Sequence, residues 1–215
     1  MDVEAAHLEE LRVARRLDDP RRVMPVVPAG CRRVLDIGCG AGQTLIGADV
    51  DGGVMACGVD RDVAALQLGR RITDRVRFVC ALGESLPFRS ESFDFVISRV
   101  ALPYMHVPAA LTEIRRVLVP GGRLWLVLHP CAMVLHELMG ALRARRAKSA
   151  LGRLWVLGNG VTLHCFGRIF RIPFTRARWE SFQTPRGMRR ALRAGFDETE
   201  ISRGRFFVVT ARRSA

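Results

Sequence analysis

The sequence predicts an α/β protein: a largely parallel open sheet with helices on both faces. Three observations carry that prediction. Short apolar runs rich in β-branched residues alternate with helical patterns of about ten residues, the signature of parallel βαβ units. The first run, Arg33-Val34-Leu35-Asp36-Ile37, enters a glycine-rich turn, Gly38-Cys39-Gly40-Ala41-Gly42, and a helical pattern follows from Thr44. Finally, 215 residues with 49% apolar side chains can bury one good core, whereas two full domains would be crowded. The whole chain, 1–215, is therefore expected to be one domain.

Taken in order, residues 4–17 read as an amphipathic helix with Leu8, Leu11, Ala14 and Leu17 on one side, stopped by Asp18-Asp19-Pro20. Residues 1–30 form an N-terminal helical cap that either covers the cleft or packs on the sheet edge. After the glycine turn, a second apolar run at 54–59 ends in Asp60, and Asp62 caps a helix reaching Arg71. A third strand spans 76–80. A turn-like stretch, Gly83-Glu84-Ser85-Leu86-Pro87-Phe88, precedes a fourth strand at 92–98. Pro108 opens a helix whose apolar face is Ala110, Leu111, Ile114, Val117 and Leu118. Pro120-Gly121-Gly122 ends it, and 123–128 is the fifth strand. From Cys131 the pattern changes, with a helix over 133–148 and no clean period over 151–183. Residues 131–183 are read as an insertion or lid. Thr184 and Pro185 start a helix that ends at Gly195, and strands at 197–202 and 206–211 meet at a turn, 203–205.

Composition narrows the setting. Six cysteines without a C-x-x-C pair suit the reduced thiols of a cytoplasmic protein. No secretory signal is visible in the acidic N-terminus. The apolar window 124–142 is broken by His129, Pro130, His136 and Glu137, which reads as strand and helix instead of a membrane span. The net charge of +13 is uneven: residues 131–215 hold 17 basic and 5 acidic side chains, a net of +12. Such a tail fits an anionic partner, whether nucleic acid, phospholipid surface or acidic substrate. It also fits a general bias to arginine, since one lysine occurs among 34 basic residues. Oligomeric state is not legible.

The glycine turn is selective. Gln43 stands where a dinucleotide fingerprint needs its third glycine, and no Gly-Lys-Ser/Thr ending marks a phosphate loop. Asp36 would repel a pyrophosphate but suits an ammonium or sulfonium group. Asp60, at the tip of the second strand, is placed to accept from both hydroxyls of a ribose. Together these elements resemble the class I S-adenosylmethionine (SAM)-dependent methyltransferases. Val34-Leu35-Asp36-Ile37-Gly38-Cys39-Gly40-Ala41-Gly42, Glu84-Ser85-Leu86-Pro87-Phe88, Ser92-Phe93-Asp94, Leu118-Val119-Pro120-Gly121-Gly122 and Phe207-Val208-Val209-Thr210-Ala211-Arg212 look like the type-11 group, which includes ubiquinone- and menaquinone-type biosynthetic enzymes.

That resemblance implies a Rossmann-like seven-stranded sheet in the order 3-2-1-4-5-7-6, only the last strand antiparallel. It implies SAM as cofactor, with Asp36 and Gly38 on the methionine ammonium. Cys39, Gly40 and Gly42 would line its back, Asp60 the ribose, Arg61 the adenine face, Gly83 and Glu84 the adenine edge, and Ser98 and Arg99 the methionine end. Leu82 departs from the family's usual acidic residue at the adenine amino group. Candidate bases for an acceptor that must lose a proton are Tyr104, His106 and His129. Each also has a packing or capping reading. His129-Pro130-Cys131 and His164-Cys165 lack zinc-site spacing. Three functions remain open: methyl transfer to an O, N or C centre of a small metabolite, possibly anionic; RNA methylation using the basic C-terminal part; and SAM binding without catalysis. Against RNA, Ser98-Arg99-Val100-Ala101 stands where base-amino methylases carry Asn/Asp-Pro-Pro-Tyr/Phe.

Overall fold

The structure is a computed structural model that describes residues 3–50, 52–171, 179–204 and 206–215. Seven strands, β1 (Arg33–Ile37), β2 (Met55–Asp60), β3 (Val76–Cys80), β4 (Phe93–Arg99), β5 (Leu118–Leu128), β6 (Phe196–Arg203) and β7 (Phe207–Arg213), form one sheet in the order β3-β2-β1-β4-β5-β7-β6. Neighbouring strands from β3 to β5 are parallel, and β7 runs antiparallel to β5 and β6. The expected order and the single antiparallel strand are both present.

Among the described residues seven α-helices flank the sheet: α1 (Val3–Arg15), α2 (Gln43–Gly47), α3 (Val63–Ile72), α4 (Val107–Val117), α5 (Cys131–Arg143), α6 (Ala147–Phe166) and α7 (Pro185–Leu192). Caps set several starts. Asp62 accepts from the amides of Ala64 and Ala65, and the Thr184 hydroxyl accepts from Gly187. One core joins Leu35, Ile37 and Val96 of the sheet to Ile114 and Val117 of α4; a second lies around Leu66, Phe78 and Ile97. Fully buried side chains such as Leu35, Ile97 and Ile114 each contribute roughly 2 kcal/mol.

Four expectations shift. The fifth strand, expected over 123–128, begins at Leu118, so Pro120-Gly121-Gly122 lies within β5 and Leu118 is not on α4. The helix expected over 133–148 is two helices, broken at 144–146 where Arg145 takes φ +53°. The 20-residue α6 falls in the stretch that showed no period, because it is apolar around most of its circumference. On α1, Leu8 and Leu17 are exposed while Leu11, Val13 and Ala14 are buried, and the helix stops at Arg15. The reason is a close approach at Gly47, where a Cβ would sit 2.7 Å from the Ala14 Cβ. Arg22 fastens that contact by donating to the carbonyls of Ala14 (3.0 Å) and Gly47 (2.9 Å), which close the two helix ends. Residues 172–178 of the expected insertion and Arg205 of the expected turn lie outside the described residues.

Candidate functional site

Parallel β1, β2, β4 and β5 all end on one edge of the sheet, where open α/β folds place their ligands. That edge gathers Asp36, Asp60, Ser98 and Arg99, with His129 one residue beyond β5. Asp36 is wholly buried, and neither of its carboxylate oxygens has a hydrogen-bond partner. Burial pushes its carboxyl up to about 7, while the Arg99 guanidinium and the Thr44 hydroxyl hold the rise down. The Thr44 hydroxyl is close enough to ease the charge but makes no well-formed hydrogen bond, and a buried acceptor pair so poorly supplied is costly unless something cationic completes it.

The glycine loop beside it is tightly placed. The amides of Gly38 and Cys39 both donate to the Val59 carbonyl, at 2.7 and 3.0 Å, and the Gly40 amide donates to Asp60 Oδ2 at 2.8 Å. Gly38 sits at φ +74°, and a Cβ there would lie 2.1 Å from the Ala101 Cβ. Ala101 gets there because Val100, a β-branched residue at φ +64°, turns the chain sharply after β4. Over the loop, the end of Met105 lies above Gly38 and Gly83, and the His7 ring of α1 lies over Gly40. His7 Nδ1 and Gln43 Nε2 are 2.8 Å apart, so α1 covers the loop and does more than pack on the sheet edge. Two cavities, of about 380 and 520 Å³, open elsewhere, around Asp49 and Val54, and Asp36, Gly38 and Asp60 line neither.

The remaining expected residues divide. Asp60 keeps one lone pair free on each oxygen beyond its bonds to the amides of Gly40 and Asp62. Arg61 is exposed at the same edge, and Leu82 is exposed too, with no acid in its place. Gly42 faces Phe78, and the buried Cys39 side chain packs on Gly58, so Cys39 offers the loop only its backbone. Glu84 accepts from the His106 amide at 2.8 Å and thereby fixes the start of α4. The Ser98 hydroxyl donates to the Ile37 carbonyl at 2.9 Å. Arg99 pairs with Glu10 of α1 (3.0 Å) and donates to Thr44 (3.1 Å).

The residues expected as candidate bases lie past β4 and β5. Tyr104 meets His129 edge-to-face with ring centres 5.2 Å apart. His129 is buried, and that burial pulls its imidazole below the usual range; nearby Glu180 opposes the shift and Arg153 adds to it. His106 is not placed as a base. Its Nδ1 accepts from the Ala109 amide as the cap of α4, and its ring packs against Trp179.

Sequence reasoning missed most of what walls this end. Residues 181–183 run beside His129, with the Gln183 amide donating to its carbonyl (3.0 Å) and the Ser181 amide to the Pro103 carbonyl (3.1 Å). Buried Glu180 pairs with Arg153 at 2.6 Å, and Asn159 bonds the carbonyls of Phe170 and Glu180. No local pattern marks these residues. Only the density of polar side chains in an otherwise apolar stretch could have flagged them.

Residues 35–126 match a family model described as a methyltransferase domain. An uncharacterized methyltransferase, YcgJ, of Bacillus subtilis is 38% identical over 133 residues, 56% of this chain and 52% of its own length. A malonyl-[acyl-carrier protein] O-methyltransferase of Halorhodospira halophila is 37% identical over 141 residues, 60% of this chain and 43% of its own. The chain thus spans about half the length of these curated relatives. Among solved structures, a SAM-dependent methyltransferase of Methanosarcina mazei shares the fold, with TM-score 0.57 and 22% identity over 87% of this chain and 94% of that one.

Proposed function

Because residues 35–126 belong to the methyltransferase-domain family and the sheet around them is that of class I SAM-dependent enzymes, we propose that this protein transfers a methyl group from SAM to an O, N or C centre of a small molecule. The observation that carries the reading is Asp36: a wholly buried carboxyl that geometry leaves without a formed hydrogen bond and that only Thr44 and Arg99 ease, beside a glycine loop with no room for a Cβ at Gly38. A cationic amino acid end is the complement it lacks. The free lone pairs of Asp60 suit a ribose diol, and the exposed Leu82 leaves adenine to backbone groups and packing. For ligand to enter, the unbranched end of Met105 and the His7 ring must swing aside.

SAM supplies a sulfonium methyl open to in-line displacement, so the protein's task is positioning and exclusion of water. His129 is the group best placed to take a proton from an O–H or N–H acceptor, since its depressed basicity keeps the imidazole neutral at physiological pH. Tyr104 holds the ring edge-on. The wall of 180–183, closing over Pro103 and His129, favours a small acceptor over a polynucleotide. Several arginines of the basic tail are also committed within the fold: Arg153 to Glu180, Arg212 to Glu198 and Arg213 to Glu91. The Halorhodospira relative named for malonyl O-methylation makes an anionic acyl group a reasonable first acceptor to test.

Calorimetry with SAM should show binding that Asp60→Ala weakens at least about tenfold, the loss of two hydrogen bonds to a charged group. Unchanged affinity would remove the ribose assignment. An acceptor screen read by S-adenosylhomocysteine formation tests transfer itself, and tight binding with no turnover on any O, N or C acceptor class would count against it.

A further inference from the structure

We propose that the α5–α6 hairpin is a docking surface for a bilayer that contains anionic phospholipid. The two helices pack through Val134, Leu138 and Ala141 on one side and Ala150, Val156 and Leu157 on the other. On α5 an exposed apolar stripe follows that seam by one residue, at Leu135, Met139 and Leu142; on α6 Leu151 follows Ala150 by one, and Leu154, three residues further on, extends the same side of the helix. One residue is about 100° of helix, and in an antiparallel pair the two offsets turn to the same side. The stripes therefore form one face, extended by Val161. Their exposures, from 46% at Leu135 to 70% at Leu151, are far from those of a buried helix, although α6 has the composition of one.

Charge selects the occupant. Arg143, Arg145, Arg146 and Lys148 are exposed around the tip of the hairpin, and among the described residues none makes an ion pair with an acid. Between positions 131 and 166 one acid, Glu137, stands against five basic residues, and it is already paired with Arg153 at 3.0 Å. An apolar face bordered by cations matches the boundary between acyl chains and acidic headgroups. A second copy would have to bring two such cationic tips into one assembly. No helix among the described residues is long and apolar enough to cross a membrane, so the hairpin would lie on the surface. It begins two residues after His129, which would set the acceptor end of the cleft at the bilayer.

The test is co-sedimentation of the whole protein with vesicles of phosphatidylcholine, with and without phosphatidylglycerol. The expected result is binding that requires phosphatidylglycerol and falls as salt rises. Leu151→Ser with Leu154→Ser, and separately Arg143, Arg145, Arg146 and Lys148→Gln, should each weaken it about tenfold or more, with unchanged circular dichroism and SAM affinity. No binding, equal binding to neutral vesicles, or light scattering that shows a dimer abolished by the Leu→Ser pair would each overturn the proposal, the last by assigning the face to a second copy. If vesicle binding fails while SAM still binds, the methyltransferase reading stands and only the docking surface falls.

Discussion

Replacing Asp36 by Asn should make the ligand-free protein more stable at alkaline pH while depriving it of SAM. The Asp36 carboxyl titrates at about 7 in the fold, against an ordinary value of 3.8, chiefly because burial disfavours the anion. The unfolded chain gives up this proton near pH 3.8 and the folded chain keeps it until about 7. Stability held by the neutral acid is therefore complete below the first value, declines as pH rises between them, and is gone above the second. The whole decline amounts to about 4 kcal/mol, of which about 3 falls between pH 5 and 8. Asn copies the neutral acid in shape and cannot ionise, so its own stability should be flat across that window.

Urea unfolding followed by the fluorescence of the three tryptophans measures the gap. The Asp36→Asn protein should gain on the wild type by about 3 kcal/mol on going from pH 5 to pH 8. SAM affinity of the wild type, by calorimetry, should weaken about tenfold per pH unit below 7, because a cationic ligand selects the ionised carboxylate. In Asp36→Asn it should be weak at every pH. Parallel unfolding profiles of the two proteins would refute the account, since no other change links that one side chain to the slope.

Two further outcomes are expected. His7→Ala removes the ring that lies over Gly40 and its contact with Gln43, so SAM affinity by calorimetry should rise severalfold; a tenfold loss would make His7 a ligand contact. Asn159→Ala breaks three hydrogen bonds that join α6 to Phe170 and Glu180, and it should lower stability by about 3 kcal/mol in urea, with SAM affinity kept.

The cofactor half of the fold was legible because its signals are local. Asp36 and the glycines are adjacent in sequence, Asp62 caps the next helix, and the buried residues Ala110, Leu111, Ile114 and Val117 of α4 recur at helical spacing. The acceptor half was not, because its determinants are tertiary. His129 meets Gln183 across 54 positions, and Arg153 meets Glu180 across 27. The same limit applies to α6, where an apolar side facing the hairpin and an apolar side facing out cancel the amphipathic signal. His106 shows the converse error: its residue type suggested a base, but its place just before Val107-Pro108 is a capping position, where a ring nitrogen can satisfy a free helix amide. Glu84 and Ser98 were noticed for ligand chemistry and are used to fix the walls of the site.

Those walls explain how a poorly satisfied centre survives. Val100 at φ +64° costs on the order of 1–3 kcal/mol, and the buried Asp36 carboxyl costs about 4 kcal/mol at neutral pH relative to an ordinary one. Both are imposed by rigid surroundings. The Val100 amide bonds the Val127 carbonyl at 2.9 Å, and Asp36 lies in β1, an interior strand, paired with Gly58 on one side and Ile97 on the other. By contrast, what fills the space over the loop is cheap to move: a methionine end and an imidazole ring whose polar contact is with Gln43, both able to turn aside while α1 stays packed. Strain therefore sits in the part that must be preorganised, and softness in the part that must open. A cation that neutralises Asp36 should recover more than is spent on displacing Met105 and His7, which is the condition for a covered site to bind at all.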